Sequence, residues 1–190
     1  MTTRRSFLTT ALAATTTLAA PALAQDAVAP AEPQAPDITP RVVRISGAFL
    51  PGEIHVDPGA FALYLILPEG RAIRYAVGIG RAGLYERGDF FIGAKKEWPS
   101  WTPTKEMIER NPDAYAKYAD GMPGGPNNPL GARALYLFTQ ERGDTFLRIH
   151  GTNKPGTIGT AVSNGCVRLV NEHIADLYNR VPIGARAVLH

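Results

Sequence analysis

The sequence predicts a mainly β domain with short helices, and three observations predict it. Short β-branched and aromatic runs recur between Gly, Pro and Asp turns, whereas helical periodicity is confined to a few brief stretches. Hydrophobic residues make up 45% and charged residues 19% of the chain, the balance of an ordinary globular protein. At 190 residues it can bury one good core and is short for two.

Residues 1–24 read as an export signal. Thr3-Arg-Arg-Ser-Phe-Leu8 has a twin-arginine pattern, Ala11 to Ala20 is a mild apolar run, and Ala22-Leu-Ala24 is a small-residue cleavage site before Gln25. The run is too short and too weakly apolar to span a bilayer, so no transmembrane span is expected in the mature protein. Residues 25–40 carry Pro30, Pro33, Pro36 and Pro40 among Ala, Glu and Gln, which predicts an extended linker. The folded domain is then 41–190. The pI of about 9.1 owes part of its height to Arg4 and Arg5; without them the net charge falls from +3 to about +1, which argues nothing for nucleic acid.

Strand signals begin with Arg41-Val-Val-Arg-Ile45 and the alternating Glu53-Ile-His-Val-Asp57. Phe61 to Leu67 and Arg71 to Val77 flank Pro68-Glu-Gly70 and predict a hairpin. Asp89-Phe-Phe-Ile92 predicts a further strand. Gly78, Gly80 and Gly83 precede it, but no helix follows them, so they do not make a phosphate loop. Trp98-Pro-Ser-Trp-Thr-Pro103 breaks the pattern, and a short helix over Thr104 to Arg110 stops before Pro112. The turn-rich run Gly121 to Gly131 is either a binding loop or a plain connector. Ala134 to Phe138 and Thr145 to Ile149 resume the strands around Glu141-Arg-Gly-Asp144. Asn171 caps a helix to about Arg180 with a buried stripe of Ile174, Leu177, Tyr178 and Val181, and Ala187-Val-Leu189 closes the domain. About eight strands and two or three short helices predict a β-sandwich or barrel-like sheet with helical additions.

The single cysteine, Cys166, follows His150 by sixteen residues. A lone thiol in an exported chain cannot form an internal disulfide; it is either a small buried hydrophobe or a nucleophile. His150 falls at the end of a predicted strand, where a sheet can present it to a cleft. Cys166 follows the turn Ser163-Asn-Gly165, which could aim the N–H groups of Gly165 and Cys166 at a developing oxyanion. A neighbouring imidazole would depress the thiol pKa and hold a thiolate. His55, His173 and His190 have no partner at metal-ligand spacing, so no metal and no cofactor are expected.

The residues Ile149-His-Gly-Thr152, Ser163-Asn-Gly-Cys-Val-Arg168 and Met122 to Leu137 resemble the L,D-transpeptidases of the YkuD (ErfK/YbiS-type) family. The similarity runs from about Gly52 through Trp98–Pro103 to the C-terminal helix and strand. It implies a YkuD-like β-sandwich with a helix-containing loop region and a C-terminal helix. It also implies an enzyme that acts on peptidoglycan stem peptides; with the twin-arginine pattern of residues 1–24, the expected location is the periplasm or cell envelope, reached by the twin-arginine route. By this resemblance Cys166 would be the nucleophile and His150 the general base, oriented by a backbone carbonyl. Gly165 and Cys166 amides would form the oxyanion hole, with Gly151, Ser163 and Asn164 as support.

Other positions carry expectations of their own. Arg168 has a fork suited to a substrate carboxylate, against a structural bond to the loop. Thr152 and Asn153 join it as substrate-binding candidates. Trp98 and Trp101 could line the groove or pack under the loop, and the usual burial of Trp favours packing. Ser163 is expected to make local turn bonds. Asn164 departs from the family, where many members carry a second histidine; an amide donates but does not titrate. The acyl acceptor is left open between a stem-peptide amine, an envelope-protein amine and water. A non-catalytic peptidoglycan-binding module is the alternative from another class, and a redox sensor lacks a resolving cysteine.

Overall fold

The computed structural model describes residues 37–190; the predicted export signal and nearly all of the linker lie outside the described residues. Among the described residues, nine strands form one sheet. They are β1 (Arg41–Arg44), β2 (Ile54–Asp57), β3 (Ala62–Leu67), β4 (Arg71–Ala76), β6 (Gly88–Glu97), β7 (Arg133–Thr139), β8 (Gly143–His150), β10 (Val167–Arg168) and β11 (Arg186–Leu189), ordered β1-β4-β3-β2-β11-β6-β7-β8-β10. A separate short pair joins β5 (Ile79–Gly80) to β9 (Ala161–Ser163) in parallel. The fold is mainly β, as the sequence predicts.

The β3–β4 hairpin forms around Pro68-Glu-Gly70, with Leu67 opposite Arg71 and both Glu69 (φ 63°) and Gly70 (φ 64°) in the left-handed region of a primed turn. Leu63 and Tyr75 from this end of the sheet share one hydrophobic cluster with Leu135 and Ile149 from the other end. Helix α3 (Asn171–Arg180) packs Ile174 and Leu177, both fully buried, into that cluster. Burying two such side chains stabilises by about 3–6 kcal/mol in total. Lys95 Nζ closes the helix by donating to the carbonyls of Tyr178 (2.5 Å) and Val181 (2.6 Å).

Two expectations need correction here. Asn171 does not cap α3: the cap position is Val170, without a side-chain bond, and Asn171 Oδ1 instead accepts the Ala132 N–H at 3.0 Å. The loop before β7 leaves that amide without a strand partner, and Asn171 supplies one. The strand expected at Asp89–Ile92 extends to Glu97 because it pairs with β11 on one side and β7 on the other.

Between β6 and β7 the chain leaves the sheet and forms a flap over residues 98–131. Helix α1 (Lys105–Arg110) starts at Thr104, whose hydroxyl accepts the Met107 N–H, and α2 (Pro112–Tyr115) starts at Asn111. Trp101 and Met122 exchange both backbone hydrogen bonds, which clasps the flap shut at its base. The Gly121–Gly131 run is not a slack connector: Asn128 is buried and donates to the carbonyls of Met122 and Pro123 while accepting the Leu130 N–H. Among the described residues, no helix is long and apolar enough to cross a membrane.

Candidate active site

Parallel pairing of β10 with β8 builds the site. Val167 lies opposite Ile149 and Arg168 opposite His150, so Cys166, just before β10, is set beside the last turns of β8. His150 is buried, and its Nδ1 lies 2.6 Å from the Gly151 carbonyl oxygen. A carbonyl only accepts, so Nδ1 carries the proton and Nε2 keeps the lone pair that a base requires. Gly151 is closely enclosed: a Cβ there would sit 2.3 Å from Asn171 Oδ1, forcing that side chain to move, and 3.1 Å from the Ala132 nitrogen.

Cys166 is partly open to solvent. Its Sγ approaches the Phe146 carbonyl at 4.0 Å, and no hydrogen bond joins it to His150 in this arrangement. Burial of the surroundings pushes the thiol pKa up, against the opposing pull of the Arg148 backbone N–H and the Arg148 and Arg168 cations. Burial pushes His150 down to about 4, with the Gly151 carbonyl opposing and the two arginines adding to the fall. Both shifts run against the thiolate expected from the sequence, because desolvation penalises the charged forms of thiol and imidazole alike.

The turn into Cys166 is held by Ser163, which donates to the Cys166 carbonyl at 2.7 Å and accepts the Gly165 N–H at 3.2 Å. Gly165 adopts φ +125°, where an L side chain is strained, and a Cβ would meet the Leu84 carbonyl oxygen at 2.9 Å. Of the two amides expected at an oxyanion, that of Gly165 is thus already engaged, and Cys166 N–H has no acceptor among the described residues.

Asn164 makes no hydrogen bond to His150. Its Nδ2 donates to Tyr115 Oη at 2.8 Å, and its Oδ1 accepts from Arg81 (2.6 Å) and Arg110 (3.3 Å). It ties the flap to the turn that carries Cys166. Arg168 is buried and donates to Thr157, to Oγ1 at 2.7 Å and to the carbonyl at 3.3 Å. Its fork holds the loop rather than opening to a groove, which is the structural alternative weighed for it. Thr152 is buried and accepts the Lys154 N–H, while Asn153 is exposed and braces the Asn127 carbonyl. Trp101 packs edge-on against Tyr115 and Tyr118 within the flap. Trp98 is 45% exposed, so packing fails for it: φ of 41° carries the chain out of β6 and leaves the indole outside the core.

Sequence reasoning missed Phe146 and Arg148. β8 bulges opposite Leu137, and Phe146 takes φ 62° with its ring 70% exposed. A bulky residue in that region is an outlier of the kind that collects at functional sites. Arg148 lies 4.0 Å over the Tyr136 ring and pairs with Asp144, which fixes its cation near the thiol. No pattern in the sequence flags either one. Among the described residues no three or more His, Cys, Asp or Glu side chains group as a metal site. His55, given no partner by spacing, lies 3.0 Å from His190 and 3.2 Å from Glu53, remote from Cys166 in the fold.

The β8–β10 pairing thus brings the strand that ends at His150 and the turn that carries Cys166 side by side in one sheet. The chain belongs to the YkuD family, the L,D-transpeptidase catalytic domain, which matches residues 51–189. It is 36% identical over 145 residues to "Probable L,D-transpeptidase YbiS" of Escherichia coli (strain K12), covering 72% of this chain and 45% of that relative, so it spans less than half the relative's length. Among solved structures, that named "Probable carnitine operon oxidoreductase caia" from Brucella melitensis is 50% identical at a TM-score of 0.56, covering 78% of this chain and 91% of that one. The catalytic domain of the Enterococcus faecium L,D-transpeptidase shares the fold at 17% identity and a TM-score of 0.51, covering 76% of this chain and all of that domain.

Proposed function

We propose that the protein is a cysteine acyltransferase of peptidoglycan that works in the periplasm or cell envelope. The observation that carries this is the β8–β10 pairing, which sets Cys166 beside the strand that ends at His150, whose tautomer is fixed by Gly151, in a chain of the YkuD family. A tetrapeptide stem binds with the carbonyl of its third, diamino residue at the thiol. His150 Nε2 takes the thiol proton as sulfur bonds to that carbonyl carbon. The oxyanion is met by the Cys166 N–H, and the carbon–nitrogen bond to D-alanine breaks as the imidazolium returns its proton to the leaving amine. An acceptor amine, from another stem or an envelope protein, then attacks the thioester, an amide forms and the thiol is restored; water in the same place gives hydrolysis. A neutral imidazole suits this sequence, since the base is unprotonated when substrate arrives.

The test is intact mass after incubation with a carbapenem, which acylates such thiols. Wild type is expected to gain one adduct and Cys166→Ala none. An unmodified wild type, or the same adduct on the alanine variant, would overturn the reading.

A further inference from the structure

Arg168 is buried and holds Thr157 through both terminal nitrogens, with its Nε unpaired in the interior, so exposed positive charge near Cys166 comes from elsewhere in the fold. Arg81 and Arg110 both place NH2 on the Oδ1 of Asn164, two residues before the nucleophile. Both side chains are exposed, and these are their only hydrogen bonds among the described residues, where neither pairs with a carboxylate. Two guanidinium groups thus share one neutral oxygen and keep most of their donors open. Like charges gather at such closeness at a cost, which an anion between them would reverse.

The positions are not accidental products of long, loose side chains. The Arg81 N–H donates to the Ser163 carbonyl at 3.1 Å, which continues the β5–β9 pairing into the nucleophile turn. Arg110 ends α1, and the following Tyr115 receives Asn164 Nδ2. Asn164 therefore contacts both cations and the flap that carries one of them. An imidazole at this place would offer one acceptor when neutral and none when charged, so it could not gather two arginines.

We propose that Arg81 and Arg110, gathered by Asn164, form a clamp for a carboxylate of the donor stem peptide. This rests on the acyl-transfer reading of Cys166. Guanidinium forks bind carboxylates bidentately and with defined geometry, which would fix the scissile amide over the thiol. Two carboxylates lie near that amide in the donor: the terminal one of D-alanine and the side-chain one of the diamino acid. Either supplies the same chemistry.

The experiment separates them. kcat/KM for release of the terminal residue is measured with the free-acid tetrapeptide and with its two monoamides, one amidated on D-alanine and one on the diamino acid side chain. Wild type is expected to prefer the free acid about tenfold over one of the monoamides, and that monoamide identifies the bound carboxylate. Arg81→Gln and Arg110→Gln should each shrink the ratio several-fold, mainly through KM, and the double variant should bring it to about one. Unchanged thermal midpoints show that these exposed substitutions leave the fold intact. Equal rates on all three donors in wild type, or full discrimination in the double variant, would overturn the clamp. No release from any donor by wild type, with no carbapenem adduct, would overturn the acyl-transfer reading and the clamp with it.

Discussion

His150 Nδ1 and the Gly151 carbonyl oxygen lie 2.6 Å apart, and this contact fixes which nitrogen can act as a base. The carbonyl does what an acidic residue does in a triad: it holds the ring and its tautomer. Unlike a carboxylate, it adds no full negative charge to stabilise an imidazolium, so burial wins and the ring stays neutral.

The first prediction concerns pH. With His150 held down to about 4, the base is unprotonated from about pH 5 upward, and the rate should not fall between pH 8 and pH 6 through imidazole protonation. With the thiol pushed above its ordinary value, acylation should keep rising on the alkaline side of pH 9. Asn164 adds no second imidazole ionisation. Stopped-flow acylation by a carbapenem across pH 4–10 checks this, and an inflection near 6.5 would count against it.

Arg148 gives the second. Its cation favours the thiolate of Cys166, and its position is locked by Tyr136 and Asp144. Arg148→Gln should raise the thiol midpoint and slow alkylation by iodoacetamide about three- to tenfold at pH 8. An unchanged midpoint would mean that the cation is screened from the sulfur.

Gly151→Ala tests the close approach of the strand end, α3 and the loop before β7. The added methyl would strike Asn171 Oδ1 and strain the hydrogen bond to Ala132. A loss of about 1–3 kcal/mol in denaturant unfolding is expected, together with slower acylation as His150 shifts.

A fourth prediction lies far from the site. Burial would raise the Glu53 carboxyl, but hydrogen bonds from Arg186, the Leu50 N–H and His55 outweigh it and bring the group down to about 2. Because the folded value is depressed, this contribution is present above about pH 4.5 and is lost as pH falls toward 2. Arg186 is half exposed, so the pair is discounted to about 1–2 kcal/mol. Glu53→Gln should lower stability by that much at pH 7 and flatten the loss between pH 4.5 and 2.

Much of this was legible in the sequence because it is local. The hairpin at Pro68-Glu-Gly70, the stripe of α3, and the strand-end His150 each follow from turn chemistry or periodicity within a few residues. Cys166 stood out as the lone thiol, directly after a glycine turn. What stayed hidden depends on contacts between distant segments. Arg81, Arg110, Tyr115 and Asn164 meet only because β5 pairs with β9 and the flap folds back, and no spacing encodes that. Asn171 had the residue type of a cap, but an unpaired amide at Ala132 claimed its oxygen. Desolvation of the thiol and imidazole likewise follows from packing around them, which a motif does not carry.

The most direct measurement is single-turnover reaction with a free-acid tetrapeptide stem, quenched in acid, with D-alanine quantified and the protein mass read in parallel. The account predicts that wild type releases D-alanine and gains a tripeptide thioester on Cys166, that His150→Ala slows both by at least about a hundredfold, and that Cys166→Ala does neither. D-alanine release by Cys166→Ala at the wild-type rate, or no release by wild type, would contradict it.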